Sequence, residues 1–91
     1  MAIDEKNSTR IVRIRQTLEA KLQPRYIELV DESHLHVGHA GARDGKGHFK
    51  LIVAADKLDT KKPLEQHKII YAALTELLLT DIHALSIEVR S

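Results

Sequence analysis

Four of the six histidines, His34, His36, His39 and His48, fall between Asp31 and His48, together with all four glycines. Imidazole changes charge near neutral pH and is a common ligand for borderline metals. Glycine reaches backbone angles that other residues resist, so this segment is built to curve rather than to extend. It is either a loop that presents ligands or a solvated turn. His34 and His36 point the same way if the chain is extended. His36 and His39 are flanked by small or flexible residues that let a ring turn towards a metal. His83 stands between a long helical segment and the last strand, where backbone groups need partners, and reads equally as a cap or a ligand. His48, at the start of a strand, reads as structural. So does His67, expected half-buried on a helix's apolar face and bonded to a carbonyl.

The chain has no cysteine, so it supplies no thiolate to a metal or cluster. A closed zinc site wants four ligands and a catalytic one three plus water; the loop histidines with His83 could reach two or three. An iron–sulfur centre is compatible only if another molecule brings the sulfurs, since two imidazoles can replace two thiolates on one iron of a [2Fe–2S] cluster. His-Glu-x-x-His, a nucleophile elbow, a phosphate loop and a dinucleotide fingerprint are all missing from the sequence. An enzyme is therefore not expected.

The elements that must position these histidines follow from the apolar pattern. Ninety-one residues, 43% apolar and 30% charged, suit one globular domain spanning 1–91. Residues 1–7 are polar and expected to fray. Ser8 or Thr9 can cap a first helix with Ile11, Ile14, Leu18 and Leu22 on one face and Pro24 at its end. Tyr26 to Asp31 alternates as a strand, and Phe49, Leu51 and Val53 mark a second that ends near Ala55. A polar connector covers 56–62, with Asp59 or Thr60 as a cap and Pro63 in the first turn of a helix running from Leu64 to about Thr80. His67, Ile70, Tyr71, Leu74, Leu77 and Leu78 share its apolar face. Leu85, Ile87 and Val89 alternate in a third strand. The order is α-β-β-α-β, an α+β fold with helices on one face of a small mixed three-stranded sheet. The first two strands pair antiparallel, and the strand-helix-strand crossover makes a parallel pair.

Asp31-Glu32-Ser33 followed by His36, then His48-Phe49, His67 running into Ile70-Tyr71, and Ile82-His83-Ala84-Leu85 together resemble the BolA family. The resemblance covers the chain from the first helix to the last strand. It implies a class II KH-like fold without the Gly-x-x-Gly loop. It also implies pairing with a monothiol glutaredoxin, in a heterodimer that shares a glutathione-ligated [2Fe–2S] cluster in iron–sulfur or iron homeostasis. One family ligand comes from the loop after the first strand and matches His36, with His39 as its rival. The other, before the last strand, matches His83. The isolated chain is then expected to hold no cluster.

Members of the family are also described as DNA-binding transcription regulators linked to stress and cell morphology. Arg10, Arg13, Lys61, Lys62 and Lys68 would supply the phosphate contacts. His67, Lys68, Ile82 and His83 are the expected partner surface. Where the family carries Arg-His-Arg, this chain has Gln66-His67-Lys68, and Leu58 and Thr60 replace a common Phe and Gly. Both departures bear on DNA binding more than on the histidines. The formal charge of +1 is neutral on the question. The expected address is cytoplasmic, without a membrane span, as a monomer or weak homodimer.

Overall fold

The computed structural model describes residues 2–32 and 47–91. The candidates His34, His36 and His39 lie outside the described residues. The first helix, α1, spans Ala2–Leu22 and so begins well before the expected cap at Ser8 or Thr9. Residues 2–6 include Ala2, Glu5 and Lys6, good helix formers. Ile14, Leu18 and Leu22 are buried along one side, with Ile11 packed beside them. The helix closes at Gln23, which takes a left-handed φ of 48° and donates its N–H to the Glu19 carbonyl at 3.1 Å. Pro24 then prevents another turn.

Strands β1 (Tyr26–Asp31), β2 (Gly47–Ala54) and β3 (Ile82–Val89) form one sheet in the order β1-β2-β3. The first pair is antiparallel, with Tyr26 opposite Ala54 and Asp31 opposite Phe49. The second is parallel. Phe49, Leu51 and Val53 of the central strand meet Ile14 and Leu18 of α1 and Ile70 and Leu74 from the later helices in one aliphatic core. β1 and β3 add Ile27, Leu29, Leu85, Ile87 and Val89 to the same side. The central strand does not alternate in burial as expected: His48, Ile52 and Ala54 on its other face are buried as well, as befits a strand paired on both edges.

Between β2 and β3 run three helices, α2 (Asp56–Asp59), α3 (Pro63–Ala73) and α4 (Thr75–Thr80). The N-cap of α3 is Lys62 rather than Asp59 or Thr60. Asp59 instead binds the Arg25 guanidinium, at 2.9 and 3.0 Å. The single helix expected over 64–80 is broken at Leu74, whose N–H is shared between the carbonyls of Ile70 and Tyr71. The hydroxyl of Thr75 donates to the Ala72 carbonyl at 2.9 Å. Such back-bonding competes with the helical ladder and bends it, and the bend lets Leu74 and Leu77 both reach the core. Among the described residues no helix is long and apolar enough to cross a membrane.

Candidate functional site

Two of the three histidines that the structure describes, His48 and His83, gather where β2 and β3 begin. Thr80 ends α4, and Asp81 caps it, donating its N–H to the Leu77 carbonyl at 2.7 Å. The Asp81 carboxylate accepts from Arg10 Nε at 3.2 Å, lies 3.1 Å from Arg13 Nη1 and accepts the Thr80 hydroxyl at 2.8 Å. Burial disfavours its charge, but the hydrogen bonds from Thr80 and Arg10 and the nearby guanidinium charges outweigh that and hold its pKa below the usual carboxylate range. Helix α1 is thus pinned to the start of β3 by a largely buried ion pair.

One residue later Ile82 turns into the core. The ladder then slips: Gly47 pairs with Ile82, but His48 pairs with Ala84, so His83 is the extra residue at an irregularity in β3. Irregularities of this kind re-aim side chains. His83 is exposed, and its ring lies 5.0 Å, centroid to centroid, from that of the buried His48, with the planes tilted by 47°. His83 therefore belongs to the strand itself, and the capping role at the junction falls to Asp81.

The same corner holds both chain ends that flank residues 33–46. Glu32 donates its N–H to the His48 carbonyl at 2.8 Å, and Gly47 donates to the Asp81 carbonyl at 2.9 Å. Gly47 has no room for a side chain: a Cβ there would collide with the ring of Phe49, which is itself fully buried. The glycine is required by this close approach.

The other candidates separate. His67 is exposed on α3 and not half-buried, although it shares a helical face with Ile70 and Leu74. It lies in the opening turns after Pro63, ahead of Ile69 and Ile70, where contact with the core begins, and Lys68 beside it is exposed too. Ile82 is buried, so its side chain is not offered to a partner. Arg10 is buried against Asp81 and is withdrawn from any external phosphate, while Arg13 is half-exposed but also faces Asp81. Lys61, Lys62 and Lys68 are exposed. A cleft of about 550 Å³ between α1 and the bend, lined by Arg13, Thr17, Lys21 and Leu74 among others, includes no histidine. Among the described residues no group of three His, Cys, Asp or Glu side chains could hold a metal ion.

Sequence reasoning missed Asp81, and with it the ion pair that sets this corner. A carboxylate between Thr80 and a buried isoleucine was the available signal; its partner Arg10 lies 71 positions away. It also read His48 and His83 separately, because their meeting depends on the slip in register.

The corner sits on a β-β-α-β arrangement behind a leading helix, and comparison with known proteins supplies the family. The model for BolA-like proteins matches residues 18–91. This chain belongs to the BolA-like family. It is 39% identical over 75 residues to the DNA-binding transcriptional regulator BolA of Escherichia coli K12, spanning 82% of this chain and 69% of that protein. It is also 39% identical over 84 residues to SufE-like protein 1, chloroplastic/mitochondrial, of Arabidopsis thaliana. That match takes in 87% of this chain but only 23% of the plant protein, so the chain spans about a quarter of that relative's length. Among solved structures, the BolA domain of SufE1 from Arabidopsis thaliana superposes with a TM-score of 0.76 at 36% identity, covering 87% of each chain. The bacterial relative is named for regulation and not for a reaction.

Proposed function

We propose that this BolA-like chain is an adaptor that pairs with a monothiol glutaredoxin and contributes imidazoles to a shared, glutathione-ligated [2Fe–2S] cluster, acting in iron–sulfur or iron homeostasis. The observation that carries this reading is the exposed His83, held at a slip in β3 next to the stems, Glu32 and Gly47, that flank residues 33–46. His36 or His39 from that segment would act with His83. The donor set fits half of a mixed-ligand cluster: imidazoles are available and the chain contains no cysteine, so glutaredoxin and glutathione must bring the thiolates. When bound, the cluster supplies one-electron and iron-transfer chemistry. This chain's own work is to hold one imidazole outward at a fixed place, through the Asp81 anchor, and to leave the remaining ligands to its partner.

The test is to mix the chain with a monothiol glutaredoxin and glutathione under cluster-assembly conditions and record visible absorption and circular dichroism. The mixed complex is expected to show a spectrum distinct from that of the glutaredoxin alone, and the isolated chain none. His83→Ala should abolish the mixed spectrum, as should the double change His36→Ala/His39→Ala. A spectrum indifferent to all of these removes the histidines from the account.

A second reading, a DNA-binding regulator, is favoured by the name of the Escherichia coli relative and by the exposure of Lys61, Lys62 and Lys68 around the start of α3. Phosphate contacts of that kind release counterions, so affinity should fall steeply between low and moderate salt. Binding to a DNA duplex at two ionic strengths discriminates. No retention at low salt ends this reading and leaves the adaptor role intact.

A further inference from the structure

We propose that His48 and His83 form a site for a single borderline divalent ion, of the zinc or copper class, in the chain by itself. The site shares His83 with the adaptor reading but needs no glutaredoxin, glutathione or histidine from residues 33–46. The argument is geometric. An imidazole nitrogen sits about 2.0–2.1 Å from zinc, which puts the ring centre about 3.2 Å from the metal. Two rings bound at a tetrahedral angle then have centres about 5.2 Å apart, and two bound at a right angle, as around square-planar copper, about 4.5 Å apart. The separation here is 5.0 Å, between these two values, with the ring planes tilted by 47°. The ring separation is thus the one that a single ion ligated by both imidazoles would require.

The surroundings suit such an ion. His48 is only 6% exposed, so little rotamer freedom remains to be lost on binding. His83, outside it, gives the ion a route from solvent and leaves water to complete the shell. Two imidazoles select zinc, copper or nickel over magnesium or calcium, which prefer oxygen. With two protein ligands the site is an open one of modest affinity, and copper(II) should bind more tightly than zinc, following the general order for nitrogen ligands.

Zinc chloride titrated calorimetrically into the isolated chain, with proton NMR of the imidazole C–H signals during cobalt(II) addition, tests the site. The expected result is one ion per chain, with the His48 and His83 signals perturbed first and together. His83→Gln and His48→Gln should each weaken zinc by about 100-fold or more, beyond the usual loss on removing an outer-shell partner. The triple change His34→Gln/His36→Gln/His39→Gln should retain binding, as should His67→Gln. If His48→Gln does not fold, the NMR of the unaltered chain and the His83→Gln titration decide. Binding that survives His83→Gln, that vanishes in the triple variant, or that leaves the His48 signals unmoved overturns the site. Because no glutaredoxin is present, either result leaves the cluster experiment to stand or fall separately.

Discussion

The two ends of the sheet manage polar groups in opposite ways. Where β1 begins and β2 and β3 finish, charge stays in solvent. Arg25 bonds Asp56 at 2.8 Å and Asp59 at 2.9 Å, and the Arg90 guanidinium lies 5.9 Å from the Tyr26 ring centre while bonding Glu88 at 2.7 Å. The Asp59 hydrogen bond raises the Arg25 pKa further, and the hydrogen bond to Glu28 raises that of Tyr26. At the opposite end Arg10, Asp81 and His48 are all buried. Exposed pairs are screened and worth little, whereas removing one member of a buried pair leaves an uncompensated charge. Stability should therefore be sensitive at the histidine end and tolerant at the other.

The strongest way to break that contrast is Asp81→Asn, which strips the buried Arg10 of its counter-charge and should cost about 3 kcal/mol in urea denaturation. A loss under about 1 kcal/mol would place this pair with the surface ones. Next comes Gly47→Ala, where the Cβ meets the immobile Phe49 ring; overpacking of this kind costs about 1–3 kcal/mol, read as a fall in the denaturation midpoint. The pH dependence of Asp81 follows. Because its folded pKa is depressed, its contribution is complete above the unfolded value of about 3.9 and is lost as pH falls below it. Asp81→Asn should consequently flatten the stability curve on the acid side of that value, and an unaltered acid limb would deny the carboxylate this role. His83→Ala should change stability by no more than about 0.5 kcal/mol, as for other exposed side chains, which separates its effect on ligand binding from unfolding. Smallest of all is Arg25→Ala: its effect on the denaturation midpoint should disappear at high salt, and persistence there would mean the outer end is less tolerant than its exposure implies.

Much of the scaffold was written in local pattern. Alternation at Ile27 and Leu29, at Phe49, Leu51 and Val53, and at Leu85, Ile87 and Val89 reports which side of a strand is buried, because side chains on a strand repeat every two residues. The helical spacing of Ile14, Leu18 and Leu22 does the same for α1. The bend at Leu74 was not visible, since a threonine hydroxyl turning back on the preceding carbonyls leaves the apolar spacing intact. The site was legible only in part. Composition pointed to histidine, but the neighbourhood of His48 and His83 comes from a slipped parallel pairing, and Arg10 meets Asp81 from across the fold. Neither follows from residues near in sequence. His67 and Ile82 show the converse: spacing put His67 on the right helical face but not its exposure, because the opening turns of α3 run beyond the core, and Ile82, expected on the partner surface, is the buried first residue of β3.

The fastening of Glu32 to His48 and of Gly47 to Asp81 has a consequence for how such a molecule can diversify. With both stems tied, the pairing of β1 with β2 does not depend on what is threaded between them, and doubling that stretch would add only about 0.6 kcal/mol of closure entropy. Residues 33–46 can thus be exchanged as an interchangeable cassette, with new ligands or new partners tried out while the sheet beneath keeps its alignment.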